Sequence, residues 1–251
     1  LLGIIISITI AGIAFLHQPS FGRLPKGERL EHIKRSPNYR EGEFRNIDTT
    51  ILMTSHKSRL SGIWSFLFRK VEGLRPDEPI PALKTALRKI PLEENALVWF
   101  GHSSYLLQVD EKRILVDPVF CMASPVSFVN KPFRGTEIYS PDDMPDIDYL
   151  VISHDHWDHL DYHTVKQLKG RIGKVVCPLG VGEHFEHWGF DKSRIIELDW
   201  KESATLSQQS IIHCLPSRHF SDRGLTPIQT LWASFLLETT PRQLFIGGQG
   251  G

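Results

Sequence analysis

Five side chains that can bind a metal ion stand within six residues, in the run His154-Asp155-His156-Trp157-Asp158-His159. Zinc takes imidazole nitrogen and carboxylate oxygen, and a catalytic zinc site keeps one position open for water. His154 and His156 are two residues apart, so an extended segment directs both to the same side. Asp158 and His159 follow and can face a second ion, and two ions about 3.5–4 Å apart can hold both the attacking and the leaving oxygen of a displacement. The run therefore predicts a two-metal hydrolytic site.

Hydrophobic residues directly before this run predict the element that positions it. The stretch 149–153 (YLVIS) has the composition of a buried strand, and Asp161 is placed to cap a helix over 162–169. Ligands between a strand and a helix are held by rigid elements at an open edge where substrate can enter. His219 follows the apolar stretch 210–215, so it too is predicted where a strand leaves the core.

From residue 96 onward, short apolar stretches bounded by turn residues predict β-strands. They lie at 96–100, 105–109, 113–116, 149–153, 175–177, 210–215, 231–238 and 243–246. Helical spacing of apolar residues occurs between some of them, at 162–169 and 181–188. This order predicts an α+β fold in which a sandwich of sheets has helices on the outside.

The first 16 residues (LLGIIISITIAGIAFL) carry no charge. As a helix they would extend about 24 Å, which is less than the ~30 Å hydrocarbon core of a bilayer. A cleaved signal peptide and an uncleaved anchor both fit this pattern. No clean small-x-small cleavage site follows Leu16. We therefore predict that residues 1–16 attach the protein to a membrane, and the side of the membrane is left open.

The next segment, residues 17–95, is rich in proline and charged residues and has little sustained periodicity. We interpret it as an arm that wraps a catalytic domain formed by residues 96–251. An aromatic-rich stretch within the arm, 62–71 (GIWSFLFRKV), is predicted to pack on the core.

Composition excludes some partners and some kinds of site. Lys+Arg and Asp+Glu both number 29, so no global field favours a polyanion, and no nucleic-acid partner is predicted. Cys121, Cys177 and Cys214 are far apart and odd in number, which argues against a disulfide framework or a thiolate zinc site. No pattern indicates an oligomeric state.

The histidine run matches His-x-His-x-Asp-His, the signature of the metallo-β-lactamase superfamily. Flanking motifs resemble the branch of that superfamily that includes N-acyl-phosphatidylethanolamine-hydrolysing phospholipase D. These motifs are 99–104 (WFGHSS), 114–120 (ILVDPVF), 153–161 (SHDHWDHLD), 197–200 (ELDW), 216–221 (PSRHFS) with Arg223-Gly224, and 230–235 (TLWASF).

The resemblance implies a metallo-β-lactamase-type αββα sandwich with up to two Zn²⁺ ions. It gives His154, His156 and His219 to the first ion. It gives Asp158 and His159 to the second ion and makes this pair catalytic.

The resemblance also implies residues that support the ligands, and it implies a substrate. Asp117 would hydrogen-bond to ligand histidines, and His102 would contact the substrate or a ligand. The implied activity is hydrolysis of phosphodiester bonds by metal-activated hydroxide, on N-acyl-phosphatidylethanolamine or a related phospholipid. Hydrolysis of a lactone or another ester at the same site is the alternative.

One position departs from the family pattern. The family has Gly-Asp after a late strand, with the aspartate bridging both metals, whereas Gln249 stands at that place here. A neutral amide is a poor bridge between two dications. The family's distal histidine is also absent, so the C-terminal part of the sandwich is expected to be missing from residues 96–251. We therefore expect this chain to bind about one zinc ion with little turnover, and a non-catalytic remnant remains an alternative.

Overall fold

Two β-sheets face each other across an apolar core, and two helices cover the outer face of the larger sheet. The computed structural model describes residues 1–50, 58–68 and 72–249 of the chain. The predicted sheet sandwich with helices outside is confirmed.

The segment before the sheets is an arm that packs on the sandwich. Its helices and strands are α1 (Leu2–Leu16), α2 (Gly27–Arg35), β1 (Tyr39–Arg40), β2 (Glu43–Phe44) and α3 (Arg59–Phe68). Ile33 in α2 and Phe44 in β2 are buried in the core that lies between the two sheets. These two side chains fix the middle of the arm to the domain.

Hydrophobic side chains remain exposed elsewhere in the arm. No residue of α1 is buried. Trp64 and Phe68 of α3 are 68% and 63% exposed, so the prediction that this stretch packs on the core is wrong for them. Residues 69–71, at the end of the same stretch, lie outside the described residues. Within the described ranges, no helix combines the length and the hydrophobicity needed to cross a membrane.

The larger sheet has six strands in the spatial order β3-β4-β5-β6-β7-β8. They are β3 (Ala96–Gly101), β4 (Ser104–Val109), β5 (Lys112–Val116), β6 (Ile147–Val151), β7 (Ile172–Pro178) and β8 (Ile195–Leu198). The first three form an antiparallel meander, and β5 to β8 run parallel. Helices α4 (Tyr162–Leu168) and α5 (Gly182–His187) lie in the parallel crossovers. Asp161 begins α4 as predicted, because its side chain accepts a hydrogen bond from the His163 amide.

Burial on both faces explains the continuous apolar strands of the larger sheet. Leu150 faces the layer that contains α4 and α5, whereas its neighbour Val151 faces the second sheet. Val175 and Val176 of β7 divide in the same way. Parallel strands covered on both faces are hydrophobic throughout rather than alternating.

The second sheet is antiparallel, in the order β12-β11-β10-β9. Its strands are β9 (Ser203–Ser207), β10 (Ser210–Leu215), β11 (Ser234–Thr239) and β12 (Gln243–Ile246). Ile212 pairs with Leu237 and Cys214 with Phe235, and these four side chains face the core between the sheets. Strands β8 and β9 were not predicted, because β8 is short and β9 is rich in serine and threonine.

Candidate metal centre

The histidine run lies at the carboxyl end of β6, where the parallel strand leaves the sheet. Ile152 still donates a backbone hydrogen bond to Val176 in β7, at 3.0 Å. The chain then turns into residues 153–161, which we call the ligand loop. The loop ends at Asp161, which begins α4. Ligand clefts of open parallel sheets form at this edge, because the loops there are free to vary while the strands stay fixed.

Three histidines converge on one point. The Nε2 atom of His219 lies 3.2 Å from Nε2 of His154 and 3.3 Å from Nδ1 of His156. Ligand atoms that surround one ion tetrahedrally at about 2.0–2.1 Å lie roughly 3.3–3.4 Å apart. The spacing of the three nitrogens therefore fits a single ion of zinc's size. We call these residues the trihistidine cluster.

Hydrogen bonds fix which nitrogen of His154 faces the cluster. The Ser153 hydroxyl donates to Oδ2 of Asp117 at 2.6 Å and lies 2.9 Å from Nδ1 of His154. With its proton committed to Asp117, the hydroxyl accepts from Nδ1–H, so Nε2 carries the lone pair. His156 presents Nδ1 instead, and its buried Nε2 has no hydrogen-bond partner in the described part of the chain.

Electrostatics keeps the trihistidine cluster neutral. Burial lowers the pKa of His154, and the neighbouring imidazoles lower it further. Burial likewise lowers the pKa of His156 and brings the pKa of His219 to about 4. Neutral imidazoles are the form that binds metal, and three of them in contact have little reason to assemble without a cation. The donor set thus fits a metal ion in type, spacing and protonation.

A second group of donors lies beside the first. Nε2 of His102 is 3.3 Å from Nε2 of His159 and 3.2 Å from Oδ2 of Asp158. The His154 and His159 rings are 4.1 Å apart at their centroids, so the two groups are adjacent. We call His102, Asp158 and His159 the mixed cluster. The Gln249 side chain is among the groups that raise the pKa of His159, so the position at which the family pattern has aspartate lies close to this cluster.

The mixed cluster is electrostatically less uniform than the trihistidine cluster. Burial raises the pKa of Asp158, but the hydrogen bond from His102 and the charge of His159 outweigh it and lower the pKa. Burial lowers the pKa of His159, and hydrogen bonding to Asp117 outweighs that effect and raises it. Asp158 is therefore held as a carboxylate. A metal ion has to compete with a proton for Nε2 of His159, whose Nδ1 proton stays with Asp117.

Asp117 connects the two clusters through hydrogen bonds. Its Oδ2 lies 2.8 Å from Nδ1 of His159 and accepts the hydroxyl of Ser153, which in turn contacts His154. Its Oδ1 accepts the Ser153 amide at 2.8 Å. The residue has a positive φ of 39° and is fully buried, and its own carbonyl accepts the Ser104 hydroxyl at 2.6 Å. One carboxylate therefore orients ligands of both clusters.

Other residues that support the site carried no signal in the sequence. Asn46 of the arm exchanges two hydrogen bonds with the backbone of His219, at 2.8 and 3.1 Å. The buried Arg223 donates to the carbonyls of Asp155 and Leu160 and lies over the Trp157 ring, so it fixes both ends of the ligand loop. Arg223 stands in a motif that carried the resemblance, yet no role followed from its position.

An apolar cavity opens beside the mixed cluster. Its volume is about 370 Å³, and Asp158 and His102 line it. Most of the remaining wall is hydrophobic, with Phe100, Phe120 and Phe133 among its residues. The arrangement places a hydrophobic binding space directly next to candidate metal ligands.

Comparison with known proteins identifies the family. Residues 112–251 match the family described as "Beta-lactamase superfamily domain". The chain belongs to this superfamily. An uncharacterized protein of Mycobacterium tuberculosis is 38% identical over 223 residues, which cover 87% of this chain and 59% of that protein. The superfamily match lies within the predicted domain of residues 96–251 and contains every residue of both clusters except His102.

Relatives with named activities match a shorter part of the chain. N-acyl-phosphatidylethanolamine-hydrolyzing phospholipase D 1 of Caenorhabditis elegans is 30% identical over 167 residues, covering 61% of this chain and 46% of the relative. Among solved structures, CmlA, a diiron beta-hydroxylase from Streptomyces venezuelae, aligns with a TM-score of 0.48 and 24% identity, covering 61% of this chain and 29% of that one. The chain thus spans less than two thirds of the length of these relatives.

Proposed function

We propose that this protein is a zinc-dependent hydrolase of phosphodiester bonds, acting on N-acyl-phosphatidylethanolamine or a related phospholipid. The observation that carries the proposal is the pair of adjacent donor clusters, each with ligand atoms 3.2–3.3 Å apart. A bound metal pair supplies Lewis-acid polarisation of a phosphoryl oxygen and lowers the pKa of a water molecule.

The protein's own residues divide the remaining tasks. His154, His156 and His219 would hold the first ion through neutral nitrogens. Asp158 and His159 would hold the second ion, and the carboxylate of Asp158 would offset part of the repulsion between two dications. Asp117 fixes the ring orientation of His159 through a hydrogen bond to its Nδ1 atom.

The apolar cavity supports a lipid substrate. A phosphodiester bound between the clusters would have one substituent beside Asp158 and His102, where the cavity begins. The aromatic wall is suited to an acyl chain, whose burial contributes about 0.8 kcal/mol per CH₂ group. Two relatives support the same substrate class. The proteins from C. elegans and Saccharomyces cerevisiae are both named as N-acyl-phosphatidylethanolamine-hydrolyzing phospholipases D.

Attachment to a membrane belongs to the same proposal. The apolar helix α1 exposes every one of its residues at least in part. Phe15 at its end contacts Phe21, with ring centroids 5.4 Å apart, and Phe21 contacts Trp157 at 5.0 Å. Trp157 belongs to the ligand loop, so a lipid-bound α1 would hold the candidate site close to the bilayer surface.

A lipid assay with a matched variant tests the proposal. The zinc-loaded protein is incubated with vesicles that contain N-acyl-phosphatidylethanolamine, and release of phosphatidic acid is measured by mass spectrometry. Because a second group of three donors is in place beside the first, we expect product from the wild type despite Gln249. We expect none above background from His156→Ala, which removes one ligand of the first ion. His163→Ala, an exposed histidine on α4, is the control and should match the wild type.

The products identify the reaction class. Hydrolysis of a lactone or a carboxylic ester without phosphatidic acid would replace the phosphodiesterase proposal with the ester alternative. Equal activity in the wild type and His156→Ala would contradict a role for the trihistidine cluster altogether.

A further inference from the structure

We propose that His102 is a third protein ligand of the second metal ion. The inference rests on the proposed two-metal function and adds a ligand that the His-x-His-x-Asp-His signature does not contain. His102 lies in the turn between β3 and β4 and is far from the run in sequence. With it, the mixed cluster offers two imidazoles and one carboxylate, a donor set that suits zinc and other first-row dications.

The donor atoms of the mixed cluster are close enough together to bind one ion. The donor atoms of His102, Asp158 and His159 lie within 4.8 Å of one another, with two of the separations at 3.2 and 3.3 Å. The trihistidine cluster has the same separations, 3.2 and 3.3 Å. An ion that fits one set of donors therefore fits the other.

Two hydrogen-bond acceptors face the same nitrogen atom of His102. Nδ1 of His159 lies 2.8 Å from Oδ2 of Asp117 and donates its proton there, so Nε2 presents a lone pair to His102. The carboxylate of Asp158 presents another acceptor to the same Nε2 atom of His102. Nε2 of His102 carries at most one hydrogen and cannot donate fully to both acceptors. A cation satisfies all three atoms at once.

Hydrogen bonds hold the β3–β4 turn that contains His102. Trp99 Nε1 donates to the His102 carbonyl at 2.9 Å, and the Ser104 hydroxyl donates to the Asp117 carbonyl at 2.6 Å. The turn that carries His102 is thus tied to the aspartate that orients His159. Ligands with such support keep their geometry when metal dissociates and returns. The side chain of His102 is 51% exposed, which leaves room for other ligands on the solvent side.

Metal titration of the whole chain tests the inference without an activity assay. Metal-free protein is titrated with Co²⁺, and stoichiometry and ligand-field absorption are recorded, followed by the same titration with Zn²⁺. The wild type should bind two ions per chain, because His102 supplies the second ion with a ligand that the sequence motif lacks; this replaces the single ion expected from Gln249 and the missing distal histidine. His102→Asn, which suits the positive φ of 46° at this position, should retain the first ion and bind the second at least about tenfold more weakly.

Two further variants make the result specific. His102→Asp suits the same backbone and returns a ligand oxygen, so it should recover much of the second-ion affinity. His163→Ala removes a histidine outside both clusters and should titrate like the wild type.

Two results would overturn the inference. One is unchanged binding of two ions by His102→Asn, with the same cobalt spectrum as the wild type. The other is a wild type that binds one ion only, at the trihistidine cluster. The first result leaves the proposed two-metal function standing and removes only the role of His102. The second result, and equally a wild type that binds no ion at all, would remove the two-metal function as well.

Discussion

At the level of single residues, the orientation of the ligand histidines depends on hydrogen bonds made by the atoms that face away from the metal. The Ser153 hydroxyl donates a hydrogen bond to Asp117 and accepts one from Nδ1 of His154, so Nε2 of His154 faces the trihistidine cluster. Nδ1 of His159 donates a hydrogen bond to the same carboxylate, so Nε2 of His159 faces the mixed cluster. Both orientations are therefore set before any metal binds, because each depends on one fully buried aspartate.

Substitution of Asp117 should weaken both metal sites together. In Asp117→Asn the amide offers one acceptor oxygen in place of two. It therefore cannot accept both the Ser153 amide, now at Oδ1, and the two donors at Oδ2, which are the Ser153 hydroxyl and Nδ1 of His159. We expect zinc affinity to fall roughly 10–100-fold, the usual loss when a residue behind a metal ligand is replaced. Competition with a chromophoric chelator measures the change. Asp142→Asn on the surface is the control, and equal affinities in the two variants would contradict the role of Asp117.

Acid should destabilise the metal-free protein through the trihistidine cluster. The pKa of His219 in the folded state is about 4, against an ordinary value of 6.5. Between these values the unfolded chain binds more protons than the folded one, so the free energy of unfolding falls as pH drops from about 7 towards 4. Urea unfolding at pH 7 and pH 5 measures this fall. It should be smaller in His219→Asn, and an identical fall would show that other groups are responsible.

At the scale of elements, one buried arginine holds the arm on the domain. Arg29 of α2 forms ion pairs with Glu183 and Glu186 in the α5 helix and with Glu197 in β8. The side chain of Arg29 is 9% exposed and that of Glu183 is 3% exposed. The arm in turn carries Asn46, which fixes the backbone of His219. Docking of the arm is thereby linked to the geometry of the first metal site.

Removal of this arginine should cost far more than removal of a surface ion pair. Arg29→Ala removes the guanidinium that three carboxylates share, although Glu183 keeps its ion pair with Arg23 and Glu197 keeps the amides of Gly180 and Gly182. We expect the variant to lower the free energy of unfolding by about 3 kcal/mol, the low end of the range for breaking a buried ion pair. Lys192→Ala, which removes an exposed pair with Glu28, should lower it by no more than about 1 kcal/mol. Urea unfolding monitored by tryptophan fluorescence provides both values. A small effect of Arg29→Ala would mean that apolar contacts alone hold the arm.

At the scale of the whole molecule, the apolar helix and the candidate site lie on connected elements. Phe15, Phe21 and Trp157 form a continuous aromatic contact from α1 to the ligand loop. Equal numbers of acidic and basic residues leave no net charge to attract the protein to a lipid surface. The proposed attachment therefore rests on the exposed apolar area of α1, which salt does not screen.

Membrane attachment should persist in high salt and fail when α1 becomes polar. The wild type should sediment with phosphatidylcholine vesicles in 1 M salt, in the regime where the Debye length is about 3 Å and charge attraction is screened. Ile6→Glu combined with Ile10→Glu should abolish sedimentation, since both side chains are at least half exposed. Leu83→Glu, an exposed leucine outside α1, is the control. Sedimentation of the double variant at the wild-type level would contradict the proposed attachment.

The local part of the site could be predicted from the order of residues along the chain. His154, His156, Asp158 and His159 lie in one short loop after a buried strand, so their spacing and the preceding apolar residues were enough to predict that they lie together. The strands of the sandwich were predictable for a similar reason, since burial requires continuous apolar residues or alternating ones. His219 and Asp117 required the resemblance in addition, because each lies on a different strand end.

The contacts that cross the fold needed the tertiary structure. The resemblance named His102 as a contact of the substrate or a ligand, but not that it meets His159 across 57 residues, and nothing indicated that Asn46 reaches His219 across 173. Such pairs depend on the order and register of strands, which place the β3–β4 turn above the carboxyl end of β6. No local pattern in the chain encodes that order, because backbone pairing in a sheet is the same for any strands that share length and hydrophobicity.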